Sequence, residues 1–298
     1  MTSPDATSPD RPPTRPAEVD VLVPTRNRPT ELATTLAGLA AQAGPAFRVV
    51  VSDQSDGDPS WATPSAAMLV RALRRRGTPV DLLRHLPRRG ITEQRAFLLS
   101  RADAPAVLLL DDDVWLEPGA LDRLHRALRE LGCGFVAAAM QGLSHLDDRR
   151  PGECAPFEVW DGPVRPERVA KDGPQWRRWT LGNAANGIHL AESLGLDTGA
   201  LPPPERWLPY KLAWAAGCVL FDRAALVESG GFDFWRDVPA DAHGEDVLTQ
   251  LRVMARRGGA GILPGGAYHQ QSATTIGGRS VSAVDVLPDP FVARLPTA

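Results

Sequence analysis

Three adjacent carboxylates, Asp111, Asp112 and Asp113, form the group with the clearest chemical potential in this sequence. Such groups repel one another and are costly to bury without a cation. A hard divalent ion offsets the repulsion and can bridge carboxylates to phosphate oxygens. Since alternate residues of a strand point the same way, Asp111 and Asp113 are predicted to converge on an ion while Asp112 points aside. A polar turn ahead of a helix opening at Glu117 is the alternative.

A second acidic pair, Glu245 and Asp246, begins a segment with helical periodicity. Acidic residues in the first turn of a helix are favoured by the helix dipole, so simple helix capping is one interpretation. The other is a general base, because a carboxylate can accept a proton that leaves late in a nucleophilic attack. The pattern alone leaves both open.

Two further residues are candidates only in context. Asp53 ends an apolar run, where it can accept hydrogen bonds from a base or ribose, or form an Asx-type turn with Ser55 and Gly57. His269 is isolated, and a lone histidine is more often an ordinary surface or core residue. Beside a carboxylate-held metal, one imidazole would favour Mn²⁺ over Mg²⁺.

The elements that must position these residues alternate between strands and helices. Short apolar runs predict strands, and segments with helical spacing predict the intervening helices. The predicted strands span 19–24, 47–53, 80–86, 106–110 and 214–221, and the main predicted helices span 64–76, 92–101, 121–131, 224–229 and 245–256. This alternation predicts an α/β fold with a mostly parallel sheet covered by helices on both faces.

Polar clusters follow three of the predicted strands, at residues 25–28, 53–56 and 111–113. In parallel sheets, ligands bind at the carboxyl ends of the strands. The clusters are therefore predicted to share one site.

Outside these elements the pattern is weaker. Residues 1–18 are rich in Pro, Ser, Thr and Asp and are predicted to be a disordered tail. Residues 151–210 are predicted to be an irregular insertion and 258–266 a Gly-rich connector. Residues 274–298 are predicted to be an irregular tail that could close over a bound ligand.

Composition narrows the function classes. The net charge of −3 gives no overall basic field for nucleic acid, and no apolar run is long enough to span a bilayer. The N-terminus lacks the apolar core of a secretion signal. Three widely spaced cysteines indicate buried free thiols rather than zinc or disulfides. We therefore expect a cytoplasmic protein with no integral membrane association.

Several sequence blocks, taken in order, resemble the family 2 glycosyltransferases, which have the GT-A fold. The blocks are VDVLVPTRNRPTEL, VVVSDQSDGD, VLLLDDDVWLEPGAL, WAAGCVLFDRAALVESGGFDFW and HGEDVLTQLRVMARRG. The resemblance covers roughly residues 19–271 and implies a catalytic domain over 19–273. It implies a nucleotide-sugar-binding half over 19–140 and an acceptor-binding half over 141–273.

The first two blocks imply a nucleotide pocket. By position, Pro24, Thr25 and Arg26 would line it, and Asp53 would hold the base. Uridine diphosphate is the commonest nucleotide in the family, so a UDP-sugar is the expected donor.

The segment before the Asp triplet has a family counterpart near the donor. Arg88, Arg89 and Gly90 would form this loop, and Arg95 would follow on the next helix. Many members carry Ala-Arg-Asn in that helix, whereas this chain has Arg95-Ala96-Phe97 after Gln94. Because this Asn is missing, the resemblance does not specify the donor sugar, although it still implies the reaction class.

The triplet corresponds to the DXD motif of the family. Asp111 would lie by the ribose and the metal, Asp112 would contact the substrate, and Asp113 would bind Mn²⁺ or Mg²⁺. His269 matches a late histidine that touches the metal or the diphosphate.

The last blocks carry the implied base and the acceptor side. Asp246 would be the catalytic base, with Glu245 beside it, and Trp214 and Gly217 would contact substrate. The resemblance thus implies an inverting transfer from a nucleotide sugar to a hydroxyl of a glycan or small-molecule acceptor. The alternatives are a sugar-phosphate nucleotidyltransferase and a non-catalytic nucleotide- or carbohydrate-binding protein.

Overall fold

The computed structural model describes residues 16–200, 207–274 and 281–287 of the 298-residue chain. Nearly all of the tail predicted at 1–18, and most of the segment predicted as a lid at 274–298, lie outside the described residues. No described helix is both long and apolar enough to cross a membrane.

The strands form an eight-stranded sheet and a three-stranded sheet. They are β1 Val19–Thr25, β2 Phe47–Asp53, β3 Val80–Arg84, β4 Ala106–Leu110, β5 Val114–Leu116, β6 Phe135–Ala137, β7 Gln141–Gly142, β8 Leu208–Tyr210, β9 Cys218–Asp222, β10 Gly259–Leu263 and β11 Ala267–His269.

The helices connect and cover these strands. The α-helices are α1 Pro29–Ala40, α2 Pro64–Arg75, α3 Ile91–Leu99, α4 Ala120–Leu131, α5 Pro151–Cys154, α6 Ala184–Gly187, α7 Leu190–Ser193, α8 Arg223–Glu228, α9 Glu245–Arg257 and α10 Ala283–Val286. Short 3₁₀ helices span Ser60–Ala62, Leu143–His145, Pro174–Gly182, Thr198–Ala200 and Asp233–Arg236.

The large sheet has the strand order β3-β2-β1-β4-β9-β6-β10-β8. Strands β3, β2, β1 and β4 are parallel, and β9 runs antiparallel between β4 and β6. Every residue of β1 and β4 is buried, as expected for strands with helices on both faces. The predicted α/β fold with a mostly parallel sheet is confirmed.

The prediction of a connector at 258–266 is wrong, because most of this stretch is the buried strand β10. Its glycines make room for rings. A Cβ on Gly259 would lie 2.3 Å from the Phe135 ring, and one on Gly261 would lie 2.2 Å from the Tyr210 ring. Large side chains from β6 and β8 thus fill the space beside β10, and its own sequence shows no apolar alternation.

Two other boundaries differ from the predictions. The strand predicted to begin at residue 214 begins at Cys218, because Gly217 adopts a φ of 72° that ends the preceding turn. Part of the C-terminal stretch is regular rather than irregular. His243 donates its main-chain N–H to the Val281 carbonyl at 3.0 Å, and α10 packs against α9.

Residues 151–210 contain only short helices and strand β8 in their described part. They nevertheless contribute to the core, since Leu181 and Tyr210 are buried and the rings of Phe157 and Tyr210 lie 5.2 Å apart. The predicted irregular insertion is therefore packed against the sheet rather than detached from it.

The small sheet has the strand order β5-β11-β7 and places strand β11 beside the Asp triplet. His269 on β11 pairs with Val114 on β5, and Gln270 donates its N–H to the Asp113 carbonyl at 2.9 Å. Backbone pairing thus fixes His269 next to residues far earlier in the chain.

Candidate active site

A cleft of about 480 Å³ lies at the carboxyl ends of β1, β2 and β4. Most of the predicted site residues line it. They are Pro24, Thr25, Arg26, Arg88, Arg95, Asp111, Asp112, Asp113, Trp214, Glu245, Asp246 and His269. Asp53, Arg89, Gly90 and Gly217 are not among the lining residues.

The Asp triplet begins where β4 ends. Asp111 donates its N–H to the Gly217 carbonyl at 2.9 Å and accepts a hydrogen bond from the N–H of Val114, which closes a turn. Because the triplet lies in this turn and not in the strand, strand alternation does not apply to it. Asp112 and Asp113 share a contact with Arg28, whereas Asp111 is bonded to Arg95. The negative charges of Asp111 and Asp113 both raise the pKa of His269.

Arg28 joins the carboxylates of Asp112 and Asp113. Its Nη1 lies 3.0 Å from Asp112 Oδ1 and 2.7 Å from Asp113 Oδ2. Asp112 also accepts a hydrogen bond from Thr25 Oγ1 at 2.7 Å. Burial raises the pKa of Asp112 to about 7 despite these contacts. Asp112 is therefore a buried anchor of the turn that follows β1.

Asp113 contacts His269, whose Nε2 lies 3.3 Å from Asp113 Oδ2. Burial alone would raise the pKa of Asp113, but the hydrogen bond and charge of His269, together with Arg28, lower it. The bond to Asp113 raises the pKa of His269 in turn, against the effect of burial. The pair is a carboxylate and an imidazole held together at the cleft.

The chemistry of this pair fits a divalent cation. Among the described residues, no three His, Cys, Asp or Glu side chains cluster closely enough to enclose a metal by themselves. Ions such as Mg²⁺ keep several waters and use one or two carboxylates plus substrate phosphates. Asp113 and His269, with Asp111 on the same cleft, supply a donor set of that kind.

Arg95 is a buried cross-link between two parts of the cleft. It is 5% exposed, and its Nε lies 2.9 Å from Glu245 Oε1 while its Nη2 lies 2.7 Å from Asp111 Oδ1. Burial would lower the pKa of Arg95, but the surrounding carboxylates outweigh it and raise the pKa. The guanidinium stays charged and ties the triplet to the start of α9.

Asp246 lies in the first turn of α9, which follows Gly244 with its φ of 77°. Burial is the largest cause that raises the pKa of Asp246, and the neighbouring Glu245 carboxylate adds to it. Arg95 opposes the rise through its charge. A carboxylate with a raised pKa that faces a cleft has the properties of a general base.

Asp53 is held entirely by the protein. It is 0% exposed and accepts hydrogen bonds from the N–H groups of Ser55 and Ser60, both at 2.7 Å. Ser55 Oγ at 3.1 Å and Arg84 Nη1 at 2.7 Å complete its surroundings. The structure thus shows the Asx-type turn that the sequence left open, and Gln54 lines the cleft instead.

The loop before α3 approaches the segment before α9. Gly90 has a φ of 101°, and a Cβ there would lie 2.3 Å from the Ala240 carbonyl oxygen. Arg88 lines the cleft from this loop. Only glycine allows the two backbones to approach this closely.

Several residues of the cleft were given no individual role by the sequence. They include Arg28, Gln54, Gln94, Trp179, Asn183, Asp241 and His243. Arg28 and Gln54 lie in the clusters at 25–28 and 53–56 that were predicted to share one site, so their position after strands placed them correctly. Trp179 and Asn183 lie in region 151–210, where the weak hydrophobic periodicity gave no signal that could place them in the cleft.

Comparison with known proteins gives one family and a set of similar folds. Residues 20–174, slightly more than half of the chain, match the profile of glycosyl transferase family 2. Among curated proteins, none matches the chain.

The similar solved structures include a mannosyltransferase and a protein in complex with a nucleotide sugar. S. aureus TarS 1-349 in complex with UDP-GlcNAc matches with a TM-score of 0.53 and 16% identity, over 87% of this chain and 60% of that one. The mannosyltransferase PcManGT from Pyrobaculum calidifontis in complex with GDP-Man and Mn²⁺ matches with a TM-score of 0.50 and 19% identity, over 92% of this chain and 62% of that one. The chain thus spans about three fifths of the length of these proteins, and the similarity shows a shared fold.

Proposed function

Because the chain belongs to glycosyl transferase family 2, and is therefore a glycosyltransferase, we propose that it is an inverting, metal-dependent enzyme that uses a nucleoside diphosphate sugar. The sugar passes to an acceptor hydroxyl. The proposal rests chiefly on one observation: Asp246 and the Asp113–His269 pair line the same cleft although they are far apart in the chain.

In the proposed step, Asp246 accepts the proton of the acceptor hydroxyl while that oxygen attacks the anomeric carbon. A new C–O bond forms on the face opposite the diphosphate. The bond from the anomeric carbon to the diphosphate oxygen breaks, and its electron pair leaves with the nucleoside diphosphate. The raised pKa of Asp246 supports this role, since a base works best when its pKa approaches the operating pH.

Asp113 and His269, with Asp111, are the residues that would hold Mn²⁺ or Mg²⁺. A bound ion would neutralise negative charge on the leaving diphosphate. Arg28 and Arg88 also line the cleft and add positive charge. Arg28 holds Asp113 at 2.7 Å, which keeps this carboxylate in place beside His269.

The solved structures narrow the choice of donors to test. TarS is in complex with UDP-GlcNAc and PcManGT with GDP-Man, so both nucleotides belong in the panel, with UDP as the expected one. On the acceptor side, Trp179 and Trp214 line the cleft. Indole faces stack on sugar rings, which favours a glycan or another ring-containing acceptor.

The test is release of nucleoside diphosphate from UDP- and GDP-sugars with Mn²⁺, with Mg²⁺ and with a chelator. We expect metal-dependent turnover and a product of inverted anomeric configuration by NMR. A product with retained configuration would refute the single displacement. Undiminished turnover in the presence of chelator would refute the proposed metal dependence.

The nucleotidyltransferase alternative predicts a different product. Such an enzyme releases inorganic diphosphate from a nucleoside triphosphate and a sugar phosphate, and usually carries a Gly-rich loop after the first strand. The loop here, from Thr25 to Pro29, contains no glycine. An assay for inorganic diphosphate is expected to be negative.

A further inference from the structure

Two neighbouring side chains at the end of β2 have opposite environments. The Asp53 carboxylate is sealed from the cleft by Ser55, Ser60 and Arg84, which occupy both of its oxygens. A base that reached for Asp53 would have to displace these donors. The residue that ends β2 is therefore committed to holding its own turn.

Gln54, the next residue, faces the cleft. Its main-chain N–H donates to the Thr25 carbonyl at 3.0 Å, which fixes it beside the end of β1. The side chain lines the cleft and the residue is only 2% exposed. Its Nε2 has no hydrogen-bond partner among the described residues. A buried amide without a partner costs free energy, so its presence at a cleft points to a ligand that supplies one.

The surroundings of Gln54 suit a flat heterocycle. Pro24 at the end of β1 and Ile91 at the start of α3 line the same cleft and provide apolar surface. Gln94 is engaged elsewhere, since its Nε2 donates to the Ser52 carbonyl at 2.7 Å. The carboxamide of Gln54 is thus a polar group available beside apolar walls, at the end of the cleft formed by β1 and β2.

We propose that Gln54, and not Asp53, hydrogen-bonds the edge of the nucleobase in this enzyme. This inference rests on the proposed function, because it assumes a nucleoside diphosphate donor. A carboxamide both donates and accepts, and a half-turn about its last bond exchanges the two. It can therefore match the ring N–H and carbonyl of uracil or guanine, and also the ring nitrogen and amino group of cytosine or adenine.

The test compares dissociation constants for UDP, GDP, CDP, ADP and inorganic diphosphate by calorimetry in the presence of Mn²⁺. Gln54→Ala is expected to weaken the preferred nucleotide about tenfold while leaving inorganic diphosphate within twofold of the wild type. Gln54→Glu, which only accepts, is expected to weaken UDP, CDP and ADP more than GDP, because only guanine presents two adjacent donors, a ring N–H and an amino group. An unchanged ratio of nucleotide to diphosphate affinity in Gln54→Ala overturns the inference.

Asp53→Asn is the matched control. We expect it to lower the melting temperature, because the ion pair to Arg84 is lost, and to leave the ratio of UDP to CDP affinity within twofold. A change of that ratio in Asp53→Asn but not in the Gln54 variants would assign the base to Asp53. If the wild-type protein binds inorganic diphosphate but prefers no nucleotide, the proposed donor itself is wrong, a result distinct from failure of Gln54 alone.

Discussion

Substitution can distinguish the two roles considered for Asp246, a general base and a residue that only caps helix α9. Asp246→Asn keeps the side-chain shape but removes the group that accepts the proton. We expect kcat to fall by about 10²- to 10⁴-fold, with the dissociation constant for the nucleoside diphosphate nearly unchanged. Steady-state kinetics and calorimetry measure the two quantities.

The matched control is Asp122→Asn, since Asp122 is an exposed carboxylate in the first turn of α4. Any loss from weakening the favourable interaction of a carboxylate with a helix dipole should appear equally in both variants. If Asp246→Asn retains kcat within a few-fold of Asp122→Asn, then Asp246 is only a helix-terminal residue.

Arg95 should act on the pH dependence through Asp246. Its positive charge lowers the pKa of Asp246 against the effects of burial and Glu245. In Arg95→Met the pKa of Asp246 rises further, so the unprotonated base appears only at higher pH. The acid limb of the kcat/KM profile is therefore expected to shift to higher pH, with the loss largest at pH 6 and smallest at pH 9.

Arg95→Lys separates charge from geometry. Lysine keeps the charge, so the acid limb should shift less than in Arg95→Met, although a single ammonium cannot hold Glu245 and Asp111 as the guanidinium fork does. Equal shifts in both variants, or none in Arg95→Met, would contradict an electrostatic role.

The sequence could predict which residues lie in the cleft where this depends only on their position at the end of a strand or the start of a helix. The cleft contains Asp111, Asp113 and Asp246 because they follow a strand or begin a helix, as the sequence indicates. The sequence could not show which donors surround a carboxylate. Asp53 ends a strand equally well, yet protein groups occupy it, whereas Gln54 lines the cleft.

At the scale of elements, the close approach at Gly90 links the loop before α3 to the segment before α9. In Gly90→Ala a Cβ would meet the Ala240 carbonyl oxygen, which is backbone and cannot rotate away. We expect a loss of about 3 kcal/mol in unfolding free energy and a lower kcat in the folded protein, because the start of α9 moves. Chemical denaturation and kinetics at low temperature measure both.

Gly77→Ala is the control for backbone strain alone. Gly77 has a φ of 87° but open space around its Cβ position. Its substitution should cost about 1–2 kcal/mol of stability and leave kcat unchanged. A kcat loss of the same size in both variants would show that the contact with Ala240 does not position α9.

Elements were predictable where the sequence carries a continuous apolar run or a helical period. The runs over β2 and β4 match the predicted bounds, since all but one of their residues are buried and apolar side chains dominate them. Strand β10 was missed because its pattern lies in the rings of Phe135 and Tyr210 and not in its own glycines. Strands β5 and β11 have only three residues each, which is too short to give a recognisable pattern in the sequence. The pairing of β11 with β5, which positions His269, therefore could not be predicted.

The whole molecule combines a first half with parallel strands and a second half that enters the sheet through β9. Strand alternation with helices predicted the parallel part. It could not predict that β9 lies antiparallel between β4 and β6, because a strand order depends on contacts between distant segments. That insertion brings Gly217 to Asp111 and carries the chain on to α9, so one cleft receives residues from both halves.

Since both halves contribute to the cleft, ligand binding should stabilise the molecule as a unit. A ligand at 100 times its dissociation constant adds about 2.7 kcal/mol, which for a domain of this size corresponds to a rise in Tm of roughly 5 °C. We expect this rise with UDP or GDP plus Mn²⁺, and a smaller one with nucleotide and chelator. In Asp113→Ala and His269→Ala the rise should fall to the chelator value, because each variant lacks one of the proposed metal ligands while the part of the cleft at the ends of β1 and β2 is unchanged. If these variants keep the full metal-dependent rise, the ion is held elsewhere, and the Asp113–His269 pair serves only to join β11 to the end of β4.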